Sequence, residues 1–161
     1  MLTGRGRGTL GGQLVVAQRW VDGLRADGLQ VVRVKIEAAP WGVGIPGSDA
    51  EAGDAPAGRY FEHHVKVLLD TAELGGLTAL AEPYGAHVSR NARRTRLDGR
   101  HERFITQRCY RVGQPTARRH LAGLRAALDR GGYHVLEVEE EYVVYDDNPA
   151  IDAGWITSPR P

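Results

Sequence analysis

"YFEHHVKVLL", residues 60–69, decides how this chain folds. Apolar and polar residues alternate along it. Phe61, His63, Val65, Val67 and Leu69 fall on one side, and Tyr60, Glu62, His64, Lys66 and Leu68 on the other. Successive side chains on a strand point to opposite faces, so this is a half-buried strand with one core face and one polar face. The adjacent histidines therefore separate. His63 turns toward the core, and His64 lies between Glu62 and Lys66 on the polar face. The pair cannot ligate one metal without a bulge.

Working outward, Asp70 and Glu73 form a capping box for a helix over 71–82. Its buried stripe is Leu74, Leu77, Leu80 and Ala81, and Pro83 and Gly85 end it. "AHVSRN", 86–91, is the next strand, and Asp98-Gly99 is a hairpin signal. "HERFITQRCYRV", 101–112, is a third strand. Pro115 suits the first turn of a second helix, with Ala117, Leu121, Leu124 and Leu128 as its stripe and Gly131-Gly132 as its stop. A long strand, 133–146, closes the series. The two halves open alike, "GRYFEHHV" and "GRHERFIT".

This succession resembles the ferredoxin-like βαββαβ sandwich over residues 59–146. The resemblance implies an α+β fold with helices on one face of an antiparallel sheet, the strands lying in the order fourth, first, third, second. Upstream, a helical period begins at Gln13, with Leu14, Ala17, Trp20, Val21 and Leu24 on one face and Gly28 as a stop. A strand over 30–37 places Val32, Val34 and Ile36 opposite Arg33, Lys35 and Glu37. This helix and strand form an N-terminal extension that continues the sheet or covers its other face. The organisation expected is a flexible Gly-rich N-terminus (1–12), a single α+β domain (13–146) and a C-terminal tail (147–161) carrying "IDAGWI". Within the domain lies a long loop (38–58). Trp41, Val43 and Ile45 give its first half something to cover, and its second half reads as plain linker.

The 161 residues suffice for a real core. With 42% hydrophobic and 25% charged residues the composition is that of a globular protein. A net charge of +1 supplies no overall field toward nucleic acid or membrane. No apolar run approaches the ~20 residues of a membrane span, and the basic N-terminus lacks the apolar core of a signal peptide. The single cysteine, Cys109, excludes an intramolecular disulfide and a cysteine zinc site and fits a reducing cytoplasm. "GRGTLG", 6–11, matches G-x-G-x-x-G but has no strand before it, so no dinucleotide fingerprint is assigned.

Charge is separated locally. Residues 90–111 hold eight arginines against Asp98 and Glu102, whereas 137–147 hold six acidic residues and no basic one. In the expected strand order these segments flank Glu62, His64 and Lys66. The polar face is expected to include His87, Ser89 and Asn91 from the second strand and Glu137, Glu139 and Glu141 from the last, with Leu136 and Val138 in the core. For strand 101–110 two phases compete. The preferred one puts Arg103, Ile105 and Gln107 on the polar face and Phe104 in the core; the other exposes Phe104, Thr106 and Arg108.

The function expected is binding of an anionic small molecule, a nucleotide or phosphorylated metabolite, on that face. Lys66 and Arg103 would contact the anion, with Gln107, Asn91 and Ser89 as polar contacts. His64 would serve as acid or base in phosphoester chemistry, its pKa lying near neutrality, with Glu62 and Glu139 as carboxylates beside it. Both are oxygen ligands of the type a divalent cation takes, but no spacing demands a metal, and no cofactor is assigned. "HVK" and "HER" fail the H-x-T/S pattern of 2H-type phosphoesterases at its third position. The "HHV" run and "YDDN", 145–148, resemble parts of glyoxalase-type metal enzymes, yet a helix stands where that fold has strands. Two other classes remain: an oligomerisation module that pairs basic and acidic sheet edges, and an RNA-binding domain lacking the aromatic platform. A membrane role is not expected.

Overall fold

A computed structural model describes residues 2–89 and 94–152. Asn91 and the "AGWI" part of the tail lie outside the described residues. Among those described, the protein is a mixed α+β fold with four helices and six antiparallel strands, the sheet curling into a half-barrel. The elements are α1 (Leu10–Ala26), β1 (Lys35–Ala38), α2 (Asp49–Asp54), β2 (Tyr60–Leu69), α3 (Leu74–Ala81), β3 (Ala86–Val88), β4 (Arg94–Thr95), β5 (His101–Tyr110), α4 (Gln114–Arg130) and β6 (His134–Asp146). Strands run in the order β1-β6-β2-β5-β3, and β4 also pairs with β5.

β2 is the central strand, hydrogen-bonded along its length to β5 and β6. Its alternation works as expected. Val65, Val67 and Leu69 meet Leu77 and Ala81 of α3 and Leu121, Leu124 and Leu128 of α4 in the main core. Full burial of each such leucine contributes roughly 1.5–3 kcal/mol. A second cluster at the other end joins Phe61, Cys109, Ala117 and Tyr142, with Ile45 and Val144 against it. The capping box of Asp70 and Glu73 forms as expected, in a 3-10 turn that leads into α3. A second 3-10 turn ends on Gly85, whose φ of 62° a side chain would strain.

Six expectations are corrected. The phase of β5 is the reverse of the preferred one. Ile105 is fully buried in the helix-side core, so Arg103, Ile105 and Gln107 face the helices and Phe104, Thr106 and Arg108 lie on the polar face. One apolar aliphatic outweighs one aromatic here because Phe104 finds cover elsewhere, beneath Lys66 and beside His64. In β6 a register shift opposite Lys66 and Val67 gives Val135, not Leu136, the core position beside Val138. β1 spans only Lys35–Ala38, with a bulge after Ile36, and pairs with β6 at the sheet edge.

The N-terminal helix starts at Leu10, where Thr9 caps the amide of Gly12, so only the residues before it are non-helical. Val21 is its one buried residue; Trp20, expected on the buried face, is exposed, as are Val15 and Val16. The second half of the 38–58 loop is not linker. Ser48 caps α2, and Asp49 accepts hydrogen bonds from the Gly113 amide and the Thr116 hydroxyl at the start of α4. A Cβ on Gly113 would lie 2.4 Å from the Ser48 backbone, so glycine is what admits this close approach.

Cys109 is buried between these layers, and burial pushes its thiol up to about 12. Native protein should therefore react with a disulfide reagent only as fast as it opens, the thiolate being the reactive form. Thiol-reagent kinetics with and without urea check this: fast labelling of native protein would place Cys109 at the surface.

Candidate functional site

The polar face of the sheet is built from five strands. β2 contributes Tyr60, Glu62, His64 and Lys66, and β5 contributes Phe104, Thr106 and Arg108. β6 adds Glu137, Glu139 and Glu141, β1 adds Lys35 and Glu37, and β3 adds His87 opposite Thr106. At its centre is Glu62, 1% exposed. A buried carboxylate needs partners, and Glu62 has three. Lys35 Nζ contacts Oε2, Arg108 Nε donates to Oε1 at 2.6 Å, and His64 Nε2 lies 3.3 Å from Oε2. Burial alone would raise the Glu62 carboxyl; the His64 imidazole and the Lys35 ammonium outweigh it and hold the group well below the usual carboxylate range.

His64 is positioned from both sides. Its Nδ1 is 3.1 Å from Thr106 Oγ1, which turns Nε2 toward Glu62 and Glu141, the latter at 3.5 Å. Burial works against a charged ring, but contacts with Glu141 and Glu62 raise its pKa to about 9. Lys35 also binds Glu37 at 2.5 Å. Burial and the neighbouring Glu141 carboxylate push Glu37 up, against the pull of Lys35.

The network continues along the sheet. Arg33 grips Asp146 with Nε and Nη2 at 2.9 and 2.5 Å, a bidentate pairing. Arg33 Nη1 and Arg108 Nη2 then converge on one oxygen, Asp152 Oδ2, at 2.9 and 2.6 Å. Asp152 belongs to a 3-10 turn, Pro149–Asp152, that follows β6. The Tyr60 hydroxyl contacts Asp146 at 3.2 Å, and the Arg108 guanidinium lies over the Tyr60 ring. Linked in this way are five carboxylates (Glu37, Glu62, Glu141, Asp146 and Asp152) and three permanent cations (Arg33, Lys35 and Arg108).

Of the residues singled out from sequence, His64 and Glu62 come together at the centre. Lys66 is on the same face but pairs with Glu137 at 2.5 Å. Glu139 is in register with His64 and exposed, while Glu141, diagonal to it, makes the contact. Arg103 and Gln107 do not join them. Arg103 donates to Ser89 O on the helix side of the sheet; Gln107 contacts His63 and donates to Tyr84 O. The Ser89 hydroxyl accepts from the Phe104 amide. The members the sequence reading passed over are Arg33, Lys35, Glu37, Arg108, Glu141, Asp146 and Asp152. Strand alternation had placed Lys35, Glu37 and Glu141 on polar faces, and the other phase of β5 held Arg108. Nothing local announced that Lys35 would reach Glu62, or that Arg33 and Arg108 would join the 146–152 segment to the same network.

Among the described residues, Glu62, His64 and Glu141 form a group whose ligand-type atoms all lie within 4.8 Å of one another. The surface clefts along α1 (Arg19, Trp20, Leu24) and beside Tyr133 (Arg125, His134) hold no such group. Comparisons with protein-family models, with curated proteins and with solved structures find no match to this chain. Among the described residues no helix is long and apolar enough to cross a membrane.

Proposed function

We propose that the polar sheet face binds an anionic small molecule bearing phosphate or carboxylate, such as a nucleotide or phosphorylated metabolite. One observation carries this reading: Arg33 and Arg108 aim their guanidinium groups at a single carboxylate oxygen, that of Asp152. Two planar forks converging on one oxygen make a cradle for an oxyanion. Asp152 comes from a short turn after the last strand, so its carboxylate stands where a ligand's phosphate or carboxylate oxygen would sit. Acid/base chemistry on a bound phosphoester would fall to His64, with Glu62 and Glu139 nearby.

The test is a thermal-shift screen with pyrophosphate, nucleotides, sugar phosphates and short RNA, since ligands of the native state raise the melting temperature by mass action. One class of anion should raise it in wild type and not in Arg33→Gln. Asp152→Asn, which removes the internal competitor, should tighten that binding about tenfold, the order of one charge-assisted hydrogen bond. No shift from any anion, or weaker binding in Asp152→Asn, would overturn the reading.

Exposed Val15, Val16 and Trp20 on α1 favour a second reading, an oligomerisation module forming a homodimer. Sedimentation of the full chain separates the two. The order of β6, β2, β5 and β3, with α3 and α4 on one face, supports a ferredoxin-like reading of the fold, to which β1 adds an edge strand. A single buried cysteine supports a reducing, cytoplasmic setting.

A further inference from the structure

Glu62, His64 and Glu141 have a geometry that suits a metal ion better than it suits hydrogen bonding. The two distances from His64 Nε2 are 3.3 Å to Glu62 Oε2 and 3.5 Å to Glu141 Oε2. A charge-assisted N–H···O bond is shorter, about 2.7–2.9 Å. One N–H shared between two carboxylates makes a three-centre bond, with poorer geometry to each. The edge of a coordination tetrahedron with bonds of about 2.1 Å, the length of zinc–nitrogen and zinc–oxygen bonds, is about 3.4 Å. Both distances match that edge, and the third pair, Glu62 and Glu141, lies within 4.8 Å.

Lys35 Nζ also contacts Glu62 Oε2 and would have to yield that contact to the ion; the other features agree. Thr106 Oγ1 lies 3.1 Å from Nδ1, and an outer partner of this kind fixes which nitrogen of a ligating histidine faces the metal. The ligands come from β2 and β6, paired strands in register along this stretch, so the rigid sheet sets their spacing. With His64 neutral, as a ligating imidazole must be, the ion-pair network holds two more carboxylates than cations. That is the charge one divalent ion supplies. His64 and Glu141 are both partly exposed, at 24% and 28%, which leaves a side of the position open to solvent or ligand.

We infer that Glu62, His64 and Glu141 form a binding site for a divalent metal ion of borderline hardness, such as Zn²⁺ or Mn²⁺. One imidazole nitrogen and two carboxylate oxygens suit such ions better than Ca²⁺, which takes six to eight oxygens. The site stands on its own geometry. Its part in the chemistry rests on the anion-binding reading: the open side of the metal and the Arg33–Arg108 cradle would both address the same anion, the metal as Lewis acid.

The test titrates the full chain with Mn²⁺ alone, free ion being followed by electron paramagnetic resonance, and separately with Zn²⁺ by calorimetry. Wild type should take up one ion. Glu141→Gln and His64→Gln should each weaken binding at least tenfold, the range seen when a ligand's support is lost. Glu141→Gln keeps shape at a partly exposed position, so its apo melting temperature should stay within a few degrees of wild type. No uptake of either ion at millimolar concentration overturns the site. Uptake unchanged by both substitutions also overturns it, because the ion is then bound elsewhere. A metal failure alongside an intact pyrophosphate shift in metal-free buffer removes the ion and leaves the anion cradle. Metal uptake with no anion shift does the reverse.

Discussion

Glu62→Ala should destabilise the protein by about 3–5 kcal/mol, the penalty for breaking a buried ion pair by removing one partner. In a chain of this size that lowers the melting temperature by on the order of 10 °C. The cause is less the lost carboxylate than what it leaves behind. Arg108 is 6% exposed and Lys35 18% exposed, and each would retain its charge with one partner fewer. A double variant, Glu62→Ala with Lys35→Met, should recover part of the loss, since an apolar replacement for a buried charge pair is often neutral or better. Glu141→Gln, at the exposed end of the same cluster, should cost less than about 1 kcal/mol. Urea unfolding of the four proteins checks the pattern. If Glu62→Ala stays within 1 kcal/mol of wild type, water reaches the cluster and the account of a buried network falls.

Ile105→Ala should cost about 2–5 kcal/mol, the range for an aliphatic side chain removed from a packed interior. Ile105 is fully buried among Val65, Leu121 and Leu124. Phe104→Ala, one residue earlier, should cost less although it deletes a larger ring. Phe104 lies on the polar face, in contact with His64 and Lys66 instead of with the core. The comparison tests the phase of β5 directly. A larger loss at Phe104 than at Ile105 would mean that this strand presents the opposite face to the helices, and Arg108 would then leave the Glu62 cluster. Equilibrium unfolding of the two single variants suffices.

β5 also shows where a sequence pattern runs out. "HERFITQR" carries a charged or polar residue in both phases and one bulky apolar residue in each. Period-2 reasoning then has no majority to follow. Packing decided it: α3 and α4 present an aliphatic groove that takes Ile105, and on the other face the Lys66 and His64 side chains shelter Phe104. β2 was decidable because three aliphatics, Val65, Val67 and Leu69, share one phase, and the helix stripes at 74–81 and 117–128 were decidable for the same reason.

Apart from the short β4, the sequence by itself determined the succession of strands and helices from residue 60 to 146, the turn at Asp98-Gly99, the opposite orientations of His63 and His64, and the polar company of Glu62. Each is a local matter, settled by periodicity, capping or turn chemistry within a few residues. Tertiary structure alone decided the rest: that α2 forms within the 38–58 loop by docking on Gly113, that Leu136 yields its core place to Val135, and that Lys35 and Arg108 meet one buried carboxylate, with Glu141 joined to it through His64 and Asp152 and Arg33 through Arg108. These residues lie between 27 and 90 positions from Glu62, farther than any local rule reaches. Their meeting depends on which strands are neighbours and on how far each is shifted along its partner. A shift of one residue would turn the strand-borne ones, Lys35, Arg108 and Glu141, to the other face of the sheet.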